Sequence, residues 1–189
     1  MRELQPGYIC ACFDFPAPTF RHKKFKEYKA TRPPIPKGLA SQIPKLKEIL
    51  NSLLIPFFEK EGFEADDLIS TTSRKAREKG ISEIYILSGD FDTLQLINEN
   101  TKVYILGRGI KEPSIYDKKK VIEKFGILPR QIVDFKSLSG DSSDNIPGVA
   151  GIGKKTAVRL LQKYGSIKNL YGRIKEEKGL KKEIKEVLI

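Results

Sequence analysis

Between Gly140 and Ala157 the chain sets two aspartates, Asp141 and Asp144, then three glycines in six residues, Gly148 to Gly153, then Lys154-Lys155-Thr156. Few folds accommodate that order. Glycines spaced this way make a hairpin whose backbone can come close to another molecule. The helix that follows opens with free N–H groups and cations, a cradle for phosphate. A carboxylate pair just ahead of it can hold a divalent metal. Together they point to metal-dependent chemistry on a nucleic-acid backbone. A lone Gly-x-Gly is a weak signal, but the flanking Asn145-Ile146-Pro147 and Lys154-Lys155 make this one specific.

The rest of the chain divides into an α/β part and a helical part. Tyr8 to Phe13 reads as a buried strand that ends at Asp14 and is closed by Pro16-Ala17-Pro18. Ile43, Leu46, Leu50, Leu53 and Leu54 share a helical face, and Pro56 to Phe58 is a brief strand. A second amphipathic helix starts near Ala65 and closes at Gly80. Ile84 to Leu87 and Val103 to Leu106 are β-branched or aromatic runs, hence strands, with a short helix from Thr93 to Ile97. Beyond about residue 115 strand signals stop. Asp117–Phe125, Pro129–Ser137, Lys154–Tyr164 and Leu180–Leu188 read as helices. Strands alternating with helices predict a parallel sheet. The predicted organisation is an α/β core over residues 1–115 followed by a helical region over 116–189.

Carboxylates recur where such a sheet places ligands, beyond the carboxyl ends of strands. Asp14 ends the first strand, and Asp90 and Asp92 follow another. Glu64, Asp66 and Asp67 open a helix, where the macrodipole alone explains acidic residues. Taken singly each group is an ordinary loop or cap feature. Jointly with Asp141 and Asp144 they make eight, in a chain of formal net charge +11. Packed together they repel unless cations are present. Oxygen-only donors select Mg²⁺, with Mn²⁺ also suited, over zinc. Eight exceed the need of one ion, and two ions about 4 Å apart suit in-line phosphodiester hydrolysis.

Charge points the same way. Residues 20–32 hold six Lys/Arg against one Glu, interleaved with Phe25 and Tyr28. Cations neutralise phosphates and aromatics stack on bases, although a solvated helix face has the same composition. The basic segment ends at Arg32-Pro33-Pro34-Ile35-Pro36, which cannot continue a helix. His22, the one histidine, reads as a backbone-contacting or solvated residue. Cys10 and Cys12 read as buried, reduced thiols. No apolar run is long enough to span a membrane and the first residues lack a secretory core, so a cytoplasmic location is expected.

These motifs, in this order, resemble the flap endonuclease family, in particular the 5′-nuclease domains of bacterial DNA polymerases I. The matching segments are Phe13-Asp14 with Pro18-Thr19-Phe20-Arg21-His22, Tyr28-Lys29-Ala30-Thr31-Arg32-Pro33, Gly62-Phe63-Glu64-Ala65-Asp66-Asp67, Ser88-Gly89-Asp90-Phe91-Asp92 with Leu94-Gln95-Leu96, and the stretch from Gly140. The resemblance implies a PIN-like, three-layer nuclease core followed by a helix-three-turn-helix DNA-binding region. It implies a Mg²⁺-dependent 5′→3′ exonuclease and flap endonuclease acting on DNA with 5′ ends, flaps or nicks in replication and repair. Asp14, Glu64, Asp66 and Asp67 would serve a first metal site. Asp90, Asp92, Asp141 and Asp144 would serve a second. Arg21, Tyr28, Lys29 and Arg32 match the arch, about residues 20–36, that handles the single strand, with Lys29 and Arg21 nearest the chemistry. Gly148, Gly151, Gly153, Lys154, Lys155 and Thr156 match the duplex-gripping hairpin, where backbone carbonyls also hold K⁺. A monomer is expected.

The family pattern also begins with a strand bearing a further metal-ligand aspartate and a helix, both ahead of the segment matching Tyr8, where this chain has seven residues. Neighbouring strand edges are then expected to stand open. A polymerase domain or a separate polypeptide is the expected partner, and the C-terminal end reads as clipped. A second reading is therefore a DNA-binding fragment that does not cleave. An unrelated α/β phosphatase would explain the carboxylates but not the hairpin.

Overall fold

A computed structural model describes residues 4–106, 113–174 and 182. The chain forms two compact units, one up to Thr72 and one from Ser73.

In the first unit β1 (Ala11–Cys12) pairs in parallel with β2 (Phe57–Phe58). The expected strand from Tyr8 is largely irregular. Its ladder is two residues long because, among the described residues, β1 pairs only with β2. Tyr8 is 84% exposed. The cysteines are corrected with it: Cys10 is exposed and Cys12 half-buried. A hydrogen bond from Cys12 lowers the Cys10 thiol to about 7 and raises that of Cys12. The basic segment is helical only over α1 (Phe20–Lys24), then turns. Two further helices follow, α2 (Lys37–Ala40) and α3 (Gln42–Ser52). The apolar face of α3 stays partly open, with Leu46 and Ile49 exposed. Helix α4 (Ala65–Glu78) begins at the acidic triplet, with Asp66 and Asp67 in its first turn where the dipole favours them.

In the second unit β3 (Ile84–Ser88) pairs in parallel with β4 (Thr101–Ile105), in register from Ile84 opposite Thr101 to Ser88 opposite Ile105. A third strand, β5 (Ser114–Tyr116), lies antiparallel to β4. The sheet is thus mixed, and a strand forms where the sequence signal fades. Three residues are too few to show alternation. Here the pairing is fixed from outside the segment, with buried Tyr116 opposite buried Val103. Between β3 and β4 runs a 3-10 helix, Phe91–Leu96.

The helical part follows. It comprises α5 (Lys118–Phe125, capped by Asp117), a 3-10 turn at Pro129–Gln131, α6 (Ile132–Ser139), α7 (Lys154–Tyr164) and α8 (Ile167–Arg173). Its core joins Leu138, Ile152, Ala157, Leu160, Leu161 and Leu170, all nearly inaccessible. Gln131 ties the helices together. Its amide N–H groups donate to the Leu161 and Gly165 carbonyls at 3.0 and 2.8 Å, and its Oε1 accepts from the Leu128 N–H at 2.8 Å. The helix expected over Leu180–Leu188 lies outside the described residues. Among those described, no helix is long and apolar enough to cross a membrane.

Candidate active site

In the first unit the acidic triplet and the basic segment are joined side chain to side chain. Arg21 on α1 donates both guanidinium N–H groups to Asp67, at 2.7 and 2.8 Å. Lys29 Nζ lies 2.8 Å from Glu64 Oε1, and the buried Tyr28 hydroxyl donates to Glu64 Oε2 at 3.1 Å. Lys29 holds φ +55°, the left-handed region that non-glycine residues seldom occupy. That turn carries its ammonium over the Tyr28 ring and onto Glu64. Asp14 Oδ1 accepts from the Ala65 N–H at 2.7 Å, and Asp67 Oδ2 from the Glu64 N–H at 3.0 Å. Both carboxylates thereby serve the start of α4. Asp66 shares that first turn. Arg21 holds the Asp67 carboxyl below its ordinary value, against burial that raises it. Arg32 is exposed at the end of the basic turns. His22 Nδ1 accepts from the Thr19 N–H at 3.2 Å, and its ring packs edge-on against Tyr28 at 5.2 Å.

In the second unit Asp92, Asp141 and Asp144 bring one ligand oxygen each to within 4.8 Å of one another. Asp92 comes from the turn after β3. Asp141 and Asp144 come from the loop after α6. Asp90 is exposed and caps its own turn, accepting from the Asp92 N–H at 2.9 Å. One residue in this group escaped the sequence reading. Lys136 on α6 hydrogen-bonds Asp92 and reaches Asp141 Oδ2 at 2.5 Å. Its signal was present: Lys136 falls one turn from buried Ile132, on the inward side of α6. Ser143 was also missed, and its hydroxyl donates to Asp141 Oδ1 at 2.6 Å. Burial works to raise the Asp141 carboxyl, but Lys136 and Ser143 outweigh it and hold it at about 2. At Asp92 burial wins and the carboxyl is raised, despite Lys136.

The loop bearing Asp141 is pinched at its neck. Asp141 and Ile146 exchange backbone hydrogen bonds at 2.8 Å, and the Val149 N–H donates to the Leu138 carbonyl. Gly140 and Gly148 face each other there. A Cβ on Gly148 would sit 2.2 Å from the Gly140 nitrogen. Gly148 and Gly151 both have positive φ, +68° and +81°. The hairpin then delivers Gly153 as the N-cap of α7, with Lys154 and Lys155 exposed on its first turn beside half-buried Thr156.

The chain matches two family models end to end: "5′-3′ exonuclease, N-terminal resolvase-like domain" over residues 1–126 and "5′-3′ exonuclease, C-terminal SAM fold" over 127–189. It is 44% identical over 188 residues to DNA polymerase I of Bacillus caldotenax, covering 100% of this chain and 21% of that protein. It is 42% identical over 170 residues to a 5′-3′ exonuclease of Aquifex aeolicus, covering 90% of this chain and 57% of that one. The chain thus spans about a fifth of the polymerase I relative and just over half of the Aquifex one. Among solved structures, T5 5′-exonuclease with bound zinc superposes with TM-score 0.79 at 22% identity, over 99% of this chain and 70% of that one. The T5 flap endonuclease in a pseudo-enzyme-product complex with DNA and metal ions gives 0.78 at 22%, over 99% and 73%. These likenesses fix the fold as PIN-like.

Proposed function

Because the chain belongs to the 5′-3′ exonuclease family, we propose that it is a Mg²⁺-dependent 5′→3′ exonuclease and flap endonuclease on DNA. The observation that carries this reading is the convergence of Asp92, Asp141 and Asp144 with a cation, Lys136, already among them. Oxygen donors that draw in an ammonium fit a hard divalent ion. Asp90, Asp92, Asp141 and Asp144 would hold one, and Asp14, Glu64, Asp66 and Asp67 another. Mn²⁺ would substitute. Such ions, when bound, lower the pKa of water and stabilise the leaving oxygen of a phosphodiester.

The chain's own residues do the rest. Lys29 and Arg21 bring positive charge to the first carboxylate group and would meet the scissile phosphate there. With Tyr28 and Arg32 they would receive the single strand. Gly148, Gly151 and Gly153 let a duplex backbone approach the start of α7, where Lys154, Lys155 and Thr156 would contact phosphate. Backbone carbonyls of the same hairpin would take K⁺. The division of labour is a nuclease core over residues 1–115 and a DNA-holding region over 116–189. The substrates are DNA 5′ ends, flaps and nicks in replication and repair, and the partner is a polymerase domain.

A 5′-flap substrate with Mg²⁺ tests this, comparing the chain with Asp141→Asn. Cleavage by the first and none by the second is expected; equal product from both would sink the reading. A second reading, binding of branched DNA without cleavage, is favoured by the first unit. Among its described residues only Thr19 and Tyr28 are fully buried, a thin support for half of the carboxylates. Salt-sensitive binding with no cut at any Mg²⁺ or Mn²⁺ concentration would decide for it.

A further inference from the structure

We infer that Lys136 is a resident counter-cation of the second carboxylate group, holding Asp92 and Asp141 together while metal is absent and yielding their oxygens when metal enters. This rests on the metal-site reading above and goes beyond it by assigning a residue that gates occupancy.

The two oxygens of Asp141 are held differently. Oδ1 accepts from the Ser143 N–H at 2.9 Å and from its hydroxyl at 2.6 Å, bonds internal to a tight loop. Oδ2 accepts from the tip of a lysine, at 2.5 Å, with no other hydrogen bond among the described residues. The same ammonium bridges to Asp92 Oδ1. So the loop fixes one oxygen, while a side chain on a flexible four-carbon stem holds the other. The backbone of Lys136 is anchored independently, its carbonyl accepting from the Gly140 N–H at 2.8 Å. The ammonium can therefore move without disturbing α6.

Asp92, Asp141 and Asp144 each bring an oxygen to within 4.8 Å of the others, so a cation placed among them relieves their mutual repulsion. An ammonium supplies one charge and a divalent ion two. Both seek the same oxygens, so they compete, and metal affinity is reduced by whatever Lys136 contributes to the metal-free state. Lys136 is thus a positioning residue. It keeps the donors converged before loading and sets the concentration at which loading occurs.

Calorimetric titration of the DNA-free chain with Mn²⁺ tests this in the wild type, Lys136→Met and Lys136→Arg. Lys136→Met should bind Mn²⁺ about 10-fold more tightly than wild type, the size of one removed charge contact in a partly buried site. Lys136→Arg, which keeps the cation, should return affinity toward wild type. Lys136→Met should also melt at a lower temperature in chelator and gain more than wild type on adding Mn²⁺. Equal or weaker Mn²⁺ binding by Lys136→Met would overturn the inference while leaving the metal site standing. If Lys136→Met does not fold, amine acylation of the wild type followed by mass spectrometry reads the same event. The Lys136 peptide should label several-fold faster with Mn²⁺ than in chelator, and an unchanged rate overturns the inference. Wild type that binds no Mn²⁺, or an Asp141→Asn variant that binds it as well as wild type, would instead remove the metal reading itself and this inference with it.

Discussion

Arg21 and Asp67 are joined by two parallel N–H···O bonds, 2.7 and 2.8 Å long, between a helix of the basic segment and the start of α4. The fork geometry matters more than the charge, since only a guanidinium makes both bonds at once. Arg21→Ala should lower the stability of the chain by about 1–2 kcal/mol, toward the lower end for hydrogen bonds to charged groups because both side chains stay partly exposed. Arg21→Lys should recover less than half of that. Urea denaturation measures both. A lysine variant as stable as wild type would show that the fork contributes nothing.

Acid should weaken the fold through Asp141 and Asp67. Both carboxyls are held below their ordinary value of 3.8, Asp141 at about 2. A depressed carboxyl stabilises the folded chain fully above its unfolded pKa. That contribution is lost as pH falls through the folded value. The loss should therefore fall between 3.8 and about 2. Asp92, raised by burial, works in the opposite sense and at higher pH: its protonation favours the folded chain as pH falls toward 3.8, before the decline begins. Melting temperature against pH should drop across this window in wild type, and Asp141→Asn should flatten it. An identical limb in both would place the acid sensitivity elsewhere.

Two glycines of the hairpin should respond differently to one added methyl group. Gly148 has φ +68° and no room, with a Cβ only 2.2 Å from backbone. Gly148→Ala should cost about 3 kcal/mol or more, from strain plus displacement of the loop neck. Gly153 has φ −82° and nothing within 4 Å of a Cβ. Gly153→Ala should leave stability within about 0.5 kcal/mol of wild type. Loss of duplex affinity in Gly153→Ala would then report a phosphate that needs the space. Thermal melts and fluorescence anisotropy separate the two effects.

The cations at the head of α7 should show in salt dependence rather than in sequence preference. Each phosphate contact releases counter-ions, so Lys154→Ala and Lys155→Ala should each reduce the slope of log affinity against log salt by about 1. Affinity should fall uniformly across duplex sequences. An unchanged slope would mean these side chains do not meet phosphate.

Elements whose signals are local were legible in the sequence. Helix α7 runs from Lys154 to Tyr164 as its period and bounding glycines predict, and β3 and β4 follow their β-branched runs. The candidate carboxylates were legible too, because acidic residues at strand and helix ends stand out against a basic chain. What was not legible depends on partners distant in sequence. Strand β5 owes its existence to Val103 opposite Tyr116. The exposure of Cys10 goes with β1 having only β2 beside it among the described residues. Lys136 reads as a lapse in an apolar stripe until Asp92, 44 positions away, is brought to its ammonium. Helix α8 was missed because its signal is short, although Ser166 caps it through the Asn169 N–H.

The pinch between Gly140 and Gly148 ties the two proposed duties to one covalent span. Asp141 and Asp144 lie inside the closed loop, and the hairpin begins where the loop shuts. The chain therefore carries a fixed gauge length from carboxylate to helix head, set when the backbone folds. An extra residue in that span would alter the calibration of the instrument rather than its power.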